Sequence, residues 1–193
     1  MGRMKNKIYL ILILIVFMWG CGDIYYYDLY IEPQRDLFSI KIPKVLFIED
    51  IETNEAFWHQ RIAYRSSPYK IKYLTFKQWA KRPSELIKDT TISFYRNSFF
   101  FKKVIKEYSK IEPDILMKIN IDALEIYYQE KNWFAHLALD IEITDAKSEK
   151  TILTHTFDRK KKLKGKKIRY IPEKISGILQ EELLEVVKKL NQI

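Results

Sequence analysis

Trp133-Phe134-Ala135-His136-Leu137-Ala138-Leu139-Asp140-Ile141-Glu142-Ile143 is the stretch that decides how this chain folds. Trp133, Ala135, Leu137, Leu139, Ile141 and Ile143 recur at every second position, the period of a strand with one apolar face. The stretch before it carries the same signal: Ile115, Met117, Ile119, Ile121 and Ala123 alternate with polar partners. At Ala123-Leu124 the phase slips, which predicts a bulge. Gln129 to Asn132 is the expected hairpin turn between the two. Thr144 to Lys150 is a second turn, and Thr151 to Phe157 a further strand.

The chain before this hairpin is also rich in strand signals. Tyr25 to Ile31 is aromatic and β-branched and predicts a strand, with a turn over Glu32 to Asp36. Ser39 to Ile48 predicts another, with Ile40, Ile42, Val45 and Phe47 inward. Pro43 places an edge or a bulge there. Glu49 to Ala56 is polar and reads as a loop or one helical turn. Gln60 to Arg65 and Tyr69 to Phe76 form a hairpin around Ser66-Ser67-Pro68, and a short strand centres on Val104.

Two segments have helical spacing instead. Pro83 suits a first helical turn, and Leu86, Ile87, Thr90, Thr91, Phe94 and Tyr95 follow on one face as far as Asn97-Ser98. From Pro172, the residues Ile175, Ile178, Leu179, Leu183, Val186, Val187 and Leu190 make a second stripe. Six or seven side chains at about 1.5–3 kcal/mol each would hold either helix to a sheet. The fold class is therefore α+β: one mostly antiparallel or mixed sheet of about six to seven strands beneath two helices.

The N-terminus is of a different character. Arg3, Lys5 and Lys7 precede the apolar run Ile8 to Met18, which ends at Trp19-Gly20-Cys21. This is the layout of a secretory signal, and the run is shorter than the roughly 20 residues a transmembrane helix needs. The only cysteine of the chain stands at the cut. That resembles a bacterial lipoprotein signal, in which the Cys21 thiol takes a diacylglycerol and its new amine an acyl chain. The competing reading is an uncleaved signal anchor with an incidental cysteine. The expected organisation is a signal over residues 1–20, a lipidated tether over 21–24 and one domain over 25–193, its signal forming a helix while uncleaved. Loss of the three basic residues takes the net charge from +9 to about +6. No cysteine is then left for a disulfide, so stability must come from packing.

The sequence carries no catalytic signature. His59, His136 and His155 have no metal-ligand spacing on one element, and His136 sits on the polar phase of its strand, where a surface position is expected. Asp122, Glu125, Asp140 and Glu142 are expected to line a solvated strand face. There is no glycine-rich phosphate loop and no serine elbow. No catalytic residue, metal ligand or cofactor is assigned beyond the lipid on Cys21. The run Arg159 to Arg169 holds eight basic residues, and Lys160, Lys161, Lys162, Lys164, Lys166 and Lys167 are candidate headgroup contacts. Near an anionic bilayer each is worth about 1 kcal/mol; the plainer reading is a solvated loop before the last helix. Secretion argues against nucleic acid as partner. Tyr25-Tyr26-Tyr27 fits strand propensity and also suits the interfacial zone beside an anchor.

Arg61-Ile62-Ala63-Tyr64-Arg65-Ser66-Ser67-Pro68-Tyr69-Lys70-Ile71-Lys72-Tyr73, running into Phe76-Lys77-Gln78-Trp79-Ala80-Lys81-Arg82-Pro83, resembles the auxiliary lipoprotein component of ABC-type transport systems. Tyr27-Asp28-Leu29 matches that family's early Tyr-x-Leu strand, while the basic run over 159–169 is longer than its pattern. The family includes the paraquat-inducible lipoprotein and pairs with Mce-domain proteins. The resemblance implies a periplasm-facing, lipid-anchored accessory subunit without catalytic residues. Its implied partners are an Mce-domain protein and an ABC permease, with a homo-oligomer open. Trp79 is then either a core residue or an aromatic anchor at a partner interface, and Arg61 and Arg65 share the same two readings. Asp23 lies one place beyond the position that retains lipoproteins at the inner membrane, so the outer membrane is favoured. The rivals are a lipoprotein that scaffolds or activates a cell-wall synthase, and a lipid hydrolase.

Overall fold

The computed structural model describes residues 23–34, 41–107, 111–165 and 167–193. The signal, Cys21, Ile40 and Lys166 lie outside the described residues. In chain order the strands are β1 (Tyr25–Tyr27), β2 (Ile42–Ile48), β3 (Glu52–Thr53), β4 (Arg61–Ser67) and β5 (Lys70–Trp79). Helix α1 (Pro83–Ser98) follows, then β6 (Phe101–Ile105), β7 (Ile115–Gln129), β8 (Asn132–Asp145), β9 (Thr151–Lys162) and helix α2 (Ile171–Leu190). Short 3-10 turns occupy Glu55–Phe57 and Ile168–Tyr170. Among the described residues no helix is long and apolar enough to cross a membrane.

All nine of these strands join one mixed sheet, which is the expected α+β architecture. The count exceeds six or seven, and the strand with no counterpart in the sequence reading is β3, two residues long. β3 falls in the segment read as a loop. A two-residue strand carries no periodicity, so only the neighbouring strand reveals it.

β7 is the spine. One of its edges pairs with β8 from Ile115↔Asp145 to Gln129↔Asn132, with the expected irregularity between Ile121 and Ala123. Glu130 and Lys131 close that hairpin at φ 49° and 65°, the left-handed pair of a two-residue turn. β9 then pairs with the far edge of β8. The other edge of β7 is shared by three successive pieces of chain, all parallel to it. β2 lies along Ile115–Met117, β3 along Asn120–Ile121 and β4 along Glu125–Tyr127. From there β2 passes on to β6, and β4 passes on to β5 and so to β1.

One face of this sheet carries the main core. Ile115, Met117, Ile119, Leu137, Leu139, Ile141 and Ile143 gather with Leu86, Ile87, Phe94 and Tyr95 of α1 and Ile175, Leu179, Leu183 and Val186 of α2. The Tyr95 hydroxyl donates to the Leu183 carbonyl at 3.2 Å and ties the helices together. Burial pushes that phenol's pKa far up. Val45 and Phe47 face away from this core and form a small cluster with Ile105 and Leu116. Ile42, Leu46 and Ile48 point to the main core instead of Val45 and Phe47: despite the irregularity beside Pro43, the side chains of β2 keep plain alternation, so the expected change of phase does not occur.

Trp79 ends β5 and is completely buried in the main core. Its amide donates to the Gln60 carbonyl at 2.6 Å, and the Ala80 amide to the Tyr27 carbonyl at 2.7 Å. Replacing Trp79 with Ala should cost about 3–5 kcal/mol of folding stability, the range for emptying a buried aromatic site. Urea unfolding of the variant checks this, and a change under 1 kcal/mol would refute the core assignment.

Candidate functional site

The sheet's other face carries charge where the alternation left polar residues. Cross-strand partners share a face, so Ala63, Glu125, His136 and Lys160 form one row across β4, β7, β8 and β9. Glu125 has no exposed side-chain area. Its Oε1 accepts from Arg65 Nε at 2.7 Å and faces His136 Nδ1 at 3.1 Å. The other ring nitrogen of His136 meets Asp158 Oδ1 at 2.9 Å. Lys160 lies 4.5 Å over the Tyr127 ring and 3.7 Å from Asp158. Arg65 also donates to the Pro68 carbonyl, which fixes the tip of the β4–β5 hairpin.

These contacts correct two sequence expectations. His136 is buried rather than at the surface, and Glu125 is buried rather than solvated. The polar phase of a strand faces water only if nothing covers it, and here long side chains from both neighbouring strands fold over the row. The pairing itself was legible: the two-residue turn at Glu130-Lys131 sets Glu125 directly opposite His136. Asp140 and Glu142 do remain at the surface, accepting from the Thr156 and Thr151 hydroxyls.

A second charged group joins β9 to α2. Glu182, on the helix's buried side, accepts from Arg159 Nε at 2.9 Å and meets His155 Nε2 at 2.8 Å. Lys189 Nζ sits 3.0 Å from His155 Nδ1. An ammonium only donates, so Nδ1 accepts and Nε2 carries the proton offered to Glu182. The carboxylate in turn holds the Arg159 guanidinium above its usual range, through the hydrogen bond first and charge second. Glu182 has a partner on each oxygen, whereas Glu125 Oε2 is buried without a hydrogen-bond partner. Among the described residues no three His, Cys, Asp or Glu side chains come together as a metal site.

The basic run is divided in two. Arg159, Lys160, Lys161 and Lys162 belong to β9, which extends five residues beyond the predicted end at Phe157 because its pairing with β8 continues to Phe134↔Lys162. Lys161 reaches Glu181 at 2.6 Å. Lys164 and Lys167 are exposed beyond the strand. Of the three residues considered for a partner interface, Arg61 is exposed with its guanidinium 4.8 Å from the Tyr73 ring centroid. Arg65 is committed to Glu125, and Trp79 lies inside the core with no surface to offer.

A family model described as ABC-type transport auxiliary lipoprotein component matches residues 27–181, from the end of β1 into α2. The chain belongs to that family. No curated protein matches it. Among solved structures it is similar to protein XCC0632 from Xanthomonas campestris, at 14% identity and a TM-score of 0.73, covering 88% of this chain and 96% of that one. It is also similar to the hypothetical protein CT253 from Chlamydia trachomatis, at 9% identity and a TM-score of 0.53, over 78% and 96%. At such identities these likenesses show a shared fold.

The buried row supplies a stability test. Arg65→Ala leaves the Glu125 carboxylate buried without its cation and should cost about 3 kcal/mol. The double replacement Arg65→Met with Glu125→Leu should cost less than that single change, because no buried charge is left unpaired. Denaturant titration of both variants against the unmodified protein decides; a double variant that loses as much stability as Arg65→Ala, or more, would contradict the coupling.

Proposed function

We propose that this chain is a lipid-anchored, non-catalytic accessory subunit of an ABC-type lipid transport system, working with an Mce-domain protein and its permease. The observation that supports this most is the family match, which spans nearly the whole sheet and most of α2. The internal chemistry agrees with a structural part. Arg65 and His136 share Glu125 Oε1, Asp158 holds the far side of His136, and Arg159 and His155 hold Glu182. Side chains locked in this way are poorly placed to exchange protons with a substrate.

The anchor would be the acylated Cys21, with the outer membrane favoured over the inner by the residue that follows it. Only Gly22, Asp23 and Ile24 separate the cysteine from β1, so the body has little freedom to move away from its membrane.

Affinity purification of the tagged full-length protein from detergent-solubilised membranes of its own host tests the assignment. The expected co-purifying proteins are an Mce-domain protein, a permease and an ATPase. Recovery of a cell-wall synthase without any of these would overturn the transport reading in favour of the scaffold. In the same cells Cys21→Ser should lose the diacylglycerol mass and leave the membrane fraction or stay uncleaved.

A further inference from the structure

We propose that the outward face of β1, β5 and the start of β4 is a bilayer-contact surface that seats anionic phospholipid headgroups beside the anchor. This rests on the reading of Cys21 as the lipidated residue. Tyr26, Gln78 and Arg61 are register partners across β1, β5 and β4, so they stand in one row on one face. Phe76 stands two positions before Gln78 on the same strand, in the irregular stretch of β5 between Tyr73 and Gln78. The adjacent Trp79 points the other way, into the core.

The exposure along this row is unusual for large apolar groups. Tyr26 is 60% exposed and Phe76 50%. Trp58, 55% exposed, borders a cleft of about 500 Å³ that Arg61, Gln78 and Arg82 also line. Arg82 has no ion-pair partner among the described residues, and Arg61 has only the Tyr73 ring. Grouped exposed aromatics mark a contact surface. Tyrosine and tryptophan with arginine suit the headgroup layer, where ring bodies meet acyl chains and cations meet phosphates.

Chain length supplies the occupant. Four Cα steps separate Cys21 from Tyr25, a reach of about 14 Å at full extension. An acyl group on Cys21 therefore brings the bilayer surface to this row before any other part of the sheet. The lysines of β9 are the alternative, but β5, β4, β7 and β8 stand between them and β1. Lys160 and Lys161 are also already held by Tyr127 and Glu181.

Spin labelling of the full-length acylated protein, reconstituted without partners in phosphatidylethanolamine–phosphatidylglycerol vesicles, tests the surface. Acylation blocks Cys21, so Tyr26→Cys, Phe76→Cys and Lys162→Cys each carry a single nitroxide. The ratio of oxygen to nickel-chelate accessibility should be several-fold higher at positions 26 and 76 than at 162. It should fall when phosphatidylcholine replaces phosphatidylglycerol, or when Arg61→Ser and Arg82→Ser are introduced together. Equal ratios at all three positions, or a higher ratio at 162, would overturn the surface while leaving the anchor standing. No response to lipid charge or to the arginine changes would overturn the headgroup role. An intact mass without diacylglycerol would overturn the anchor and the surface with it.

Discussion

Both edges of β7 must be paired along fifteen residues, and the rest of the fold is arranged to meet that demand. β8 satisfies one edge as a hairpin, which needs only a two-residue turn. The other edge has no hairpin partner. It is filled from Leu46 to Arg65 by β2, β3 and β4 laid end to end and parallel. A parallel strand requires a long return connection. α1 and β6 lie within that connection, which is why the helix sits between β5 and β7 in the chain. The same arrangement sets a mechanical path: β1 reaches the spine only through β5 and β4.

Charge pins the register of that centre. A one-residue slip between strands turns every side chain to the opposite face. In β7 it would drive Glu125 into the core and push Leu124 and Ile126, both fully buried, toward the outside. Arg65 and His136 then lose the carboxylate that each contacts. Glu182 does the same for α2, since only one helical position can face both Arg159 and His155. These pairs forbid what the apolar pattern alone would allow, a slip of two residues along a strand or of one turn along the helix.

Most of this fold was legible in the sequence because its long elements are strongly periodic. Helix α1 begins at Pro83 and ends at Ser98 as its spacing predicts, and the bulge near Ala123 is visible as a break in phase. Short pieces were not legible: β3 exists because β7 has an edge to fill, not because Glu52 and Thr53 favour a strand. β9 overran its predicted end for a related reason. Lys160 to Lys162 look like a loop until β8 offers them hydrogen bonds and Tyr127 and Glu181 take up the charge. His136 and Glu125 were misjudged by treating each strand alone; read as a hairpin, they face one another. The outward row at Tyr26 was invisible for the same reason, since Tyr26, Gln78 and Arg61 lie far apart in the chain.

The fold joins a spine built for rigidity to an edge strand that starts just after the cysteine. An auxiliary lipoprotein of a transport system gains from both, because a partner held by such a body has a defined distance to the membrane. That distance is the most direct test. Neutron reflectometry of the acylated full-length protein on a supported phosphatidylethanolamine–phosphatidylglycerol bilayer measures the water layer between headgroups and protein. The expected profile has protein density beginning within the tether's reach of about 14 Å. A hydrated gap clearly wider than that would contradict a body seated against its own membrane.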